Sequence, residues 1–227
     1  MILGITGHSP VKLGGWVWNP AHRRVQEYIR RCFRHLRPEY VITGMALGVE
    51  QWGAEIAIEM GIPFLAAIPF DGFEGKWPAP SQMKYRNTLS KSFRTQVVSP
   101  GGYESWKLAE KNKWVVENSD QILSIWDGDL DPNSGVSHAT NYALRIQKPV
   151  LRVHPNEPLV LEGEQFEAPP TITPATTVSQ TAREIIERTR ALRPASPPAQ
   201  RTQILGAAPR TNPDAPANPY KRVLDID

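Results

Sequence analysis

Three glycine-containing turns carry the residues of this chain that are best suited to bind an anion. They are Thr6-Gly7-His8, Gly44-Met45-Ala46-Leu47-Gly48 and Pro100-Gly101-Gly102-Tyr103, and each lies between a short β-branched apolar run and a helical pattern. Glycine lets backbone N–H groups approach an anionic ligand, and in an alternating β/α chain such turns gather at the carboxyl edge of one parallel sheet. The three turns therefore predict one pocket for a phosphate or a nucleotide.

The turn from Gly44 to Gly48 allows two interpretations. Its amides and the following helix N-terminus could hold a phosphate, with Glu50 accepting hydrogen bonds from ribose hydroxyls. Alternatively, it is a tight strand-to-helix turn in which Glu50 only favours the helix dipole. A lone GxxxG is a weak indicator, and the glycines at Gly101 and Gly102 strengthen it. We expect a side chain at Gly44 or Gly101 to block the ligand and to leave the fold largely intact.

Three further segments place polar groups beside the predicted strands and helices. His8 follows the first strand and either contacts a ligand or makes a structural hydrogen bond. Asp127 ends a strand with Gly128 behind it, where carboxylates often bind ribose, although Asp-Gly is also a common turn. Ser134-Gly135 opens a helix and offers either amides for an anion or an N-cap.

The remaining candidate side chains divide into aromatic residues and metal-ligand types. Of seven tryptophans, those expected in edge loops, where they could stack on a base, are Trp16, Trp18, Trp77 and Trp106. Trp52 and Trp114 are expected in the core. The other histidines, His22, His35, His138 and His154, share no metal-ligand spacing, and Cys32 fits a packing thiol. We therefore expect no metal site.

Alternating strands and helices must position these turns. The pattern predicts strands at 2–6, 40–43, 64–68, 96–98, 121–126 and 150–153, and helices at 22–36, 49–60, 81–92, 104–117 and 136–146. Helices of this length between strands specify a doubly wound, mostly parallel α/β sheet with helices on both faces, because each right-handed crossover needs a helix. We predict a Rossmann-like domain over residues 1–156, with the sheet closing by Val153.

The composition changes after residue 156. Prolines recur from Ala168 onward, aromatic residues almost vanish, and helical periodicity persists only at 178–192. Such a stretch buries too little apolar surface to offset its chain entropy. We expect residues 157–227 to form a proline-rich, largely disordered tail with one short helix and no catalytic residue.

Composition and charge limit the class of protein. The chain has 227 residues, 40% of them hydrophobic, a formal charge of +3 and one cysteine. The single cysteine excludes a disulfide framework, and no apolar stretch approaches the roughly 20 residues that span a bilayer. We therefore expect a cytoplasmic protein without a membrane partner. Lysines and arginines are dispersed among acids, so a dedicated nucleic-acid interface is less expected.

The ordered motifs resemble one known superfamily. They are Ile5-Thr6-Gly7-His8, Thr43-Gly44-Met45-Ala46-Leu47-Gly48-Val49-Glu50-Gln51-Trp52, Ser99-Pro100-Gly101-Gly102-Tyr103, Asn112-Lys113-Trp114 and Trp126-Asp127-Gly128. Together they cover about residues 1–153 and resemble the SLOG superfamily, the Smf/DprA–LOG group of Rossmann-like proteins, and within it the YspA/YpsA-like branch. The resemblance implies a nucleotide or nucleotide-derived ligand at the glycine turns, and homo-oligomerisation.

Several positions depart from the patterns of that superfamily. Ser9 stands where the branch usually has arginine, Glu50 where it usually has aspartate, and Ser134-Gly135-Val136 where it has Gly-Gly-Thr. The LOG enzymes, which cleave cytokinin ribotides, carry a glutamate where this chain has Leu108. Without that carboxylate, the group that would activate water or stabilise an oxocarbenium-like transition state is missing. The resemblance thus implies binding without that hydrolysis.

Three functions remain as hypotheses. The first is a nucleotide-binding sensor or sequestering module that requires no cofactor, with a pocket formed by Gly7, His8, Gly44, Met45, Ala46, Leu47, Gly48, Glu50, Gly101, Gly102, Tyr103, Asp127, Ser134 and Gly135. The second is a phosphoribohydrolase or N-glycosidase that uses Glu50, Glu104 or Asp127 as acid or nucleophile. The third, ranked last, is single-stranded DNA binding.

Overall fold

Six strands run parallel in one sheet. In chain order they are β1 (Ile2–Gly7), β2 (Tyr40–Thr43), β3 (Phe64–Ile68), β4 (Arg94–Val97), β5 (Gln121–Ile125) and β6 (Val150–Val153). The spatial order is β4-β3-β2-β1-β5-β6, and a short seventh strand, β7 (Phe166–Glu167), pairs antiparallel with β6. β1 therefore lies between β2 and β5, at the point where the strand order reverses.

Five helices cover the two faces of the sheet. They are α1 (Pro20–Leu36), α2 (Val49–Glu59), α3 (Ala79–Leu89), α4 (Ser105–Glu117) and α5 (Gly135–Arg145). Buried residues of the first three pack with Leu3 and Ile5 in the main core. Buried residues of α4 and α5 pack around Ile122 and Val150 in a second cluster. The predicted doubly wound α/β class is confirmed.

The computed structural model describes residues 1–131, 134–161, 166–167 and 184. The chain divides into two compact units, Met1–Arg183 and Glu184–Asp227, and Glu184 is the one described residue of the second. Apart from Glu184, the helix expected at 178–192 lies outside the described residues. None of the described helices has both the length and the apolar character needed to cross a membrane.

Local sequence signals explain how α1 forms. Asn19 caps its N-terminus by accepting hydrogen bonds from the N–H groups of Ala21 and His22, and Pro20 occupies the first helical position. The apolar stripe faces the core and includes the fully buried Val25, Ile29, Cys32 and Phe33. Burial raises the pKa of the Cys32 thiol to about 12, in keeping with a packing role.

The sheet does not end at Val153, as the sequence suggested. The two-residue strand β7 pairs with β6, and its Phe-Glu sequence is too short to give an apolar run that would signal a strand. Leu159 is buried in the main core, and the Tyr28 hydroxyl donates a hydrogen bond to the carbonyl of Glu157. The segment after residue 156 therefore packs against α1, while a domain boundary there stays a prediction.

Candidate functional site

His8 and Asp127 lie at the carboxyl ends of the neighbouring strands β1 and β5, and their side chains are in contact. His8 Nε2 is 2.9 Å from Asp127 Oδ1. The imidazole is 3% exposed and the carboxylate 29% exposed. The His8 backbone also joins two elements, because its N–H donates to the carbonyl of Ile125 and its carbonyl accepts from the N–H of Val49. His8 thus fastens the turn after β1 to both β5 and α2.

The environment fixes the charges of this pair. Burial lowers the pKa of His8 below its ordinary 6.5, although Asp127 opposes the shift. Burial acts to raise the pKa of Asp127, but the N–H of Asp129 and the His8 imidazole together bring it below 3.8. At neutral pH a neutral imidazole therefore meets an ionised carboxylate. The Asp127 backbone N–H also lies 3.2 Å from the same His8 Nε2. We assign the His8 proton to Nε2, because a hydrogen bond donated to the carboxylate at 2.9 Å is stronger than one accepted from a neutral amide.

The glycines of the first two turns allow α2 to approach β1. A Cβ on Gly7 would lie 2.5 Å from Val49 Cγ1, and a Cβ on Gly48 would lie 2.6 Å from the His8 carbonyl oxygen. Gly48 also has φ +99°, a conformation that favours glycine. Met45, with φ +60°, is fully buried within the same turn. Gly7 and Gly48 thus serve close packing between protein elements.

Glu50, expected to meet a ribose, is bound by protein groups. Its carboxylate accepts hydrogen bonds from Lys111 Nζ at 3.0 and 3.1 Å and from the Ala46 N–H at 3.0 Å. Both charged side chains are buried. A Cβ on Gly44 would collide with this pair, since it would lie 2.5 Å from Glu50 Oε2. Gly44 therefore makes room for a buried ion pair, and a larger residue there has to displace that pair, so its effect on the fold stays a prediction.

The turn after β4 is held from below by a buried lysine. Lys107 Nζ donates to the carbonyls of Pro100 and Gly102, each at 2.9 Å. On its other side, the Gly101 N–H donates to the Asp71 carboxylate in the loop after β3, and the Gly101 carbonyl accepts from the Asp71 N–H. Gly101 has φ +90°, so this turn does require a glycine.

The N-terminus of α4 continues from this turn with several unpaired N–H groups. The N-cap residue Glu104 makes no side-chain capping bond, because its carboxylate accepts from Trp106 Nε1 instead. Among the described residues, none accepts a hydrogen bond from the N–H groups of Gly102, Tyr103, Ser105 or Trp106. These four donors lie where a helix dipole presents its positive end.

Aromatic rings flank this N-terminus. Trp106 is 51% exposed, and the Tyr103 ring packs edge-on against Phe70 at 5.5 Å with Lys76 Nζ 5.8 Å from its centre. Trp77, in contrast, packs against Phe73 and Tyr85. The predicted stacking role thus fits Trp106 by exposure and does not fit Trp77.

Ser134 acts as the N-cap of α5. Its Oγ accepts a hydrogen bond from the Ser137 N–H, which is the structural alternative for this segment. The Gly135 carbonyl accepts from Asn112 Nδ2 on α4 at 3.1 Å. The start of α5 is therefore tied to α4 through one amide side chain.

Except for Ser134 and Gly135 at the start of α5, the predicted site residues fall into two groups along the sheet edge. The first surrounds the ends of β1, β2 and β5 and contains Gly7, His8, Gly44, Met45, Ala46, Leu47, Gly48, Glu50 and Asp127. The second contains Gly101, Gly102 and Tyr103 at the end of β4, on the far side of β3. Among the described residues, no hydrogen bond or ion pair joins one group directly to the other, so one shared pocket stays a prediction.

Helix α4 connects the two groups, and the sequence analysis missed this. Lys107 binds the turn after β4, Lys111 one helical turn later binds Glu50, and Asn112 binds the start of α5. Residues four apart lie on one helix face, so both lysines point at the sheet edge. Two lysines four residues apart, directly after a glycine turn, are the signal that could have identified this face.

Metal-ligand types do not cluster in the described part of the chain. No group of three or more histidine, cysteine, aspartate or glutamate side chains able to hold a metal ion occurs there.

Curated relatives and solved structures resemble this chain. A UPF0398 protein of Lysinibacillus sphaericus is 28% identical over 162 residues, covering 66% of this chain and 86% of the relative. Another, from Brevibacillus brevis, is 38% identical over 135 residues, covering 55% of this chain and 72% of the relative.

Solved structures similar to the chain include a DNA processing protein and a cofactor carrier. DNA processing protein A from Streptococcus pneumoniae has a TM-score of 0.48 at 12% identity, over 82% of this chain and 56% of that one. The molybdenum cofactor carrier protein from Chlamydomonas reinhardtii has a TM-score of 0.41 at 16% identity, over 66% of this chain and 74% of that one. The YpsA family model, described as the YspA SLOG family, matches residues 3–157. This chain therefore belongs to the YspA SLOG family.

Proposed function

We propose that this protein binds a nucleotide or nucleotide-derived anion at the carboxyl edge of its sheet and acts as a sensor or sequestering module. The observation that carries the proposal is the start of α4, where the N–H groups of Gly102, Tyr103, Ser105 and Trp106 have no acceptor among the described residues. Unpaired N–H groups at a helix N-terminus form a natural phosphate site.

The charge beneath this turn supports an anionic ligand. Lys107 is buried, its hydrogen bonds go to two neutral carbonyls, and the nearest carboxylate, on Glu104, lies 3.6 Å away and is exposed. A buried ammonium with neutral partners keeps most of its field, because little water screens it. The ammonium and the helix dipole therefore act on the same ligand position.

The neighbouring aromatic groups suit the rest of a nucleotide. Trp106 exposes half of its surface directly beside the four N–H groups. An indole face stacks well on a planar base, and stacking is worth about 1–3 kcal/mol per base. Trp106 would therefore hold the base while the turn holds the phosphate.

The carboxylates that a hydrolase would need are engaged by the protein. Glu50 is paired with Lys111 inside the structure, and Glu104 binds the indole N–H of Trp106. Leu108 stands where the LOG enzymes have their glutamate. These observations favour binding over turnover.

One observation favours a second function, hydrolysis of a nucleotide derivative. Asp127 is ionised, partly exposed and in contact with the His8 imidazole, which is an arrangement that can serve acid–base chemistry. Overnight incubation with adenosine monophosphate, NAD and ADP-ribose, followed by chromatography, tests it. Release of free base that disappears in Asp127→Ala would replace the binding function with the hydrolase.

A proline substitution tests the binding function directly. Ser105 is the first residue of α4, where proline is favoured, and Glu104 before it has the extended conformation (φ −143°, ψ 138°) that precedes proline. Ser105→Pro therefore deletes one N–H donor and keeps the helix. Titration calorimetry with adenosine monophosphate, NAD and ADP-ribose should show an affinity lowered at least about tenfold, since hydrogen bonds to charged groups contribute about 1.5–3 kcal/mol.

The matched control is Ser105→Ala, which removes the hydroxyl and keeps the N–H. Its affinity should stay within about twofold of the unmodified protein. Equal affinities for the proline and alanine variants would place the phosphate elsewhere and contradict this site. Homo-oligomerisation stays a prediction, which native mass spectrometry can read in the same samples.

A further inference from the structure

The outer face of α1 concentrates positive charge. The helix and its C-cap contribute six arginines: Arg23, Arg24, Arg30, Arg31, Arg34 and Arg37. The carboxylates that pair with them are those of Glu27 and Glu59. This face alone therefore has a larger positive excess than the formal charge of +3 on the whole chain. Basic residues that looked dispersed along the sequence are brought together by the helical repeat.

Arginines form a row along the helix. Arg23, Arg30 and Arg34 lie away from the buried stripe that includes Ile29, and Arg37 follows as the C-cap. Arg23, Arg34 and Arg37 are exposed, whereas Arg30 is 27% exposed and bound by Glu59. Fourteen residues of helix span about 21 Å. The row is long enough to follow several phosphates of an extended polyanion.

Helix stability does not explain the whole row. Arginines in the last turn, such as Arg34, are favoured by the negative end of the helix dipole. Arg23 ends the first turn and Arg24 follows it, close to the helix end at which the dipole disfavours cations, and the first turn of α1 has no acidic residue. Arg24 binds the carbonyl of Pro155, but no described residue forms an ion pair or hydrogen bond with the Arg23 side chain. Arg23 thus has no structural partner that would account for it.

An exposed tryptophan stands at one end of this row. Trp18 immediately precedes the N-cap of α1, is 59% exposed, and meets His22 edge-on at 5.7 Å. A basic row that ends in an exposed aromatic ring is the combination that binds single-stranded nucleic acid, with phosphates on the cations and a base on the ring. The apolar stripe of α1 is buried in the core and cannot enter a membrane.

We propose that the arginine face of α1 binds the phosphate backbone of single-stranded nucleic acid and that Trp18 stacks on one of its bases. This surface is separate from the nucleotide site at the start of α4. Guanidinium groups bind phosphate oxygens in a bidentate manner, and each phosphate contact releases counterions, so the binding depends on salt.

Fluorescence anisotropy with a labelled oligothymidylate of about 20 nucleotides tests this proposal on the full chain, since that length exceeds the usual single-strand site. For single strands, each phosphate contact contributes about −0.7 to the slope of log K against log salt. Arg23→Gln/Arg34→Gln should reduce the slope by about 1.4 and weaken binding. The control Lys91→Gln/Arg94→Gln removes two exposed charges, one just after α3 and one in β4, and should change neither the slope nor the affinity.

Trp18→Ala separates nucleic acid from other polyanions. It should weaken oligothymidylate binding about tenfold with an unchanged salt slope, because only stacking is lost. It should leave binding of labelled polyglutamate unaffected. The proposal is overturned if the arginine variant has the same affinity and salt slope as its control. It is also overturned if polyglutamate binds as tightly as the oligonucleotide and Trp18→Ala weakens the binding of neither. The latter result would identify an acidic protein as the partner.

Discussion

Lys111 on α4 and Glu50 on α2 form a buried ion pair across the carboxyl edge of the sheet. The ammonium lies 3.1 and 3.0 Å from the two carboxylate oxygens. Because α2 and α4 pack in different clusters on the two faces, this pair links the two helical layers above the end of β2. The same helix binds the turn after β4 through Lys107, so one helix organises the whole edge.

Lys111→Met should destabilise the protein strongly. It leaves the Glu50 carboxylate buried without its cation, and breaking one side of a buried ion pair costs about 3–5 kcal/mol. Urea denaturation measures this loss, and Lys111→Met/Glu50→Gln should recover much of it. The control is Lys12→Met, which breaks the exposed pair with Asp129 and should cost at most about 1 kcal/mol. Similar losses for both lysines would contradict a dominant role for the buried pair.

Two glycine substitutions should separate folding from binding. Gly44→Ala places a Cβ against the Lys111–Glu50 pair and should lower the free energy of unfolding by about 1–3 kcal/mol. Gly102→Ala adds a methyl group that meets no atom within 4 Å, so stability should change by less than about 0.5 kcal/mol. Nucleotide affinity should nevertheless fall in Gly102→Ala, because the methyl group enters the proposed phosphate position. Calorimetry showing unchanged affinity there would argue against close approach of the ligand.

Acid should destabilise the protein first through His8. The pKa of His8 is below 6.5 in the folded protein. As the pH falls below 6.5, the unfolded chain therefore binds a proton at His8 before the folded protein does, and this stabilises the unfolded state. The lowered pKa of Asp127 has the same sign but acts only below about pH 3.8. Thermal melting should show a lower Tm at pH 5.5 than at pH 7.5 for the unmodified protein. This difference in Tm should be smaller for His8→Gln and the same for the surface control His35→Gln. A drop of equal size in all three proteins would exclude His8 as the cause.

The segment after β6 should contribute to stability. A chain that ends at residue 156 loses the burial of Leu159, which is worth about 1.5–3 kcal/mol, together with the hydrogen bond from Tyr28 to the Glu157 carbonyl. We expect it to melt cooperatively but at a lower temperature than a chain ending at residue 161. Identical melting temperatures would show that this packing is dispensable.

The strands were predictable where they are mostly apolar and mostly buried. β2, β3 and β6 begin and end at the residues expected, because each is a mostly apolar run with clear turn residues around it. β4 was expected at 96–98 and lies at Arg94–Val97, because most of this edge strand is polar and partly exposed. Its pairing with β3 decides its position more than its own pattern does.

The site was only partly predictable for a related reason. His8 and Asp127 follow two strands, so a parallel sheet brings them to one edge, although their direct contact needs β1 and β5 to be neighbours. Lys107 and Lys111 could not be assigned in this way. Which face of α4 lies towards the sheet edge depends on how the helix packs on the sheet. The residue types within the helix do not predict that packing.

Native mass spectrometry of the freshly purified protein tests the central claim most directly. Our account predicts a protein species that carries the added mass of a bound nucleotide and loses this mass on denaturation. If the purified protein carries no nucleotide, the same species should form when adenosine monophosphate, NAD or ADP-ribose is added. The added mass should be weaker in Ser105→Pro than in Ser105→Ala, because only the proline variant lacks the N–H at the start of α4. A protein that carries no ligand from the cell and gains no mass with any of the three nucleotides would contradict the account.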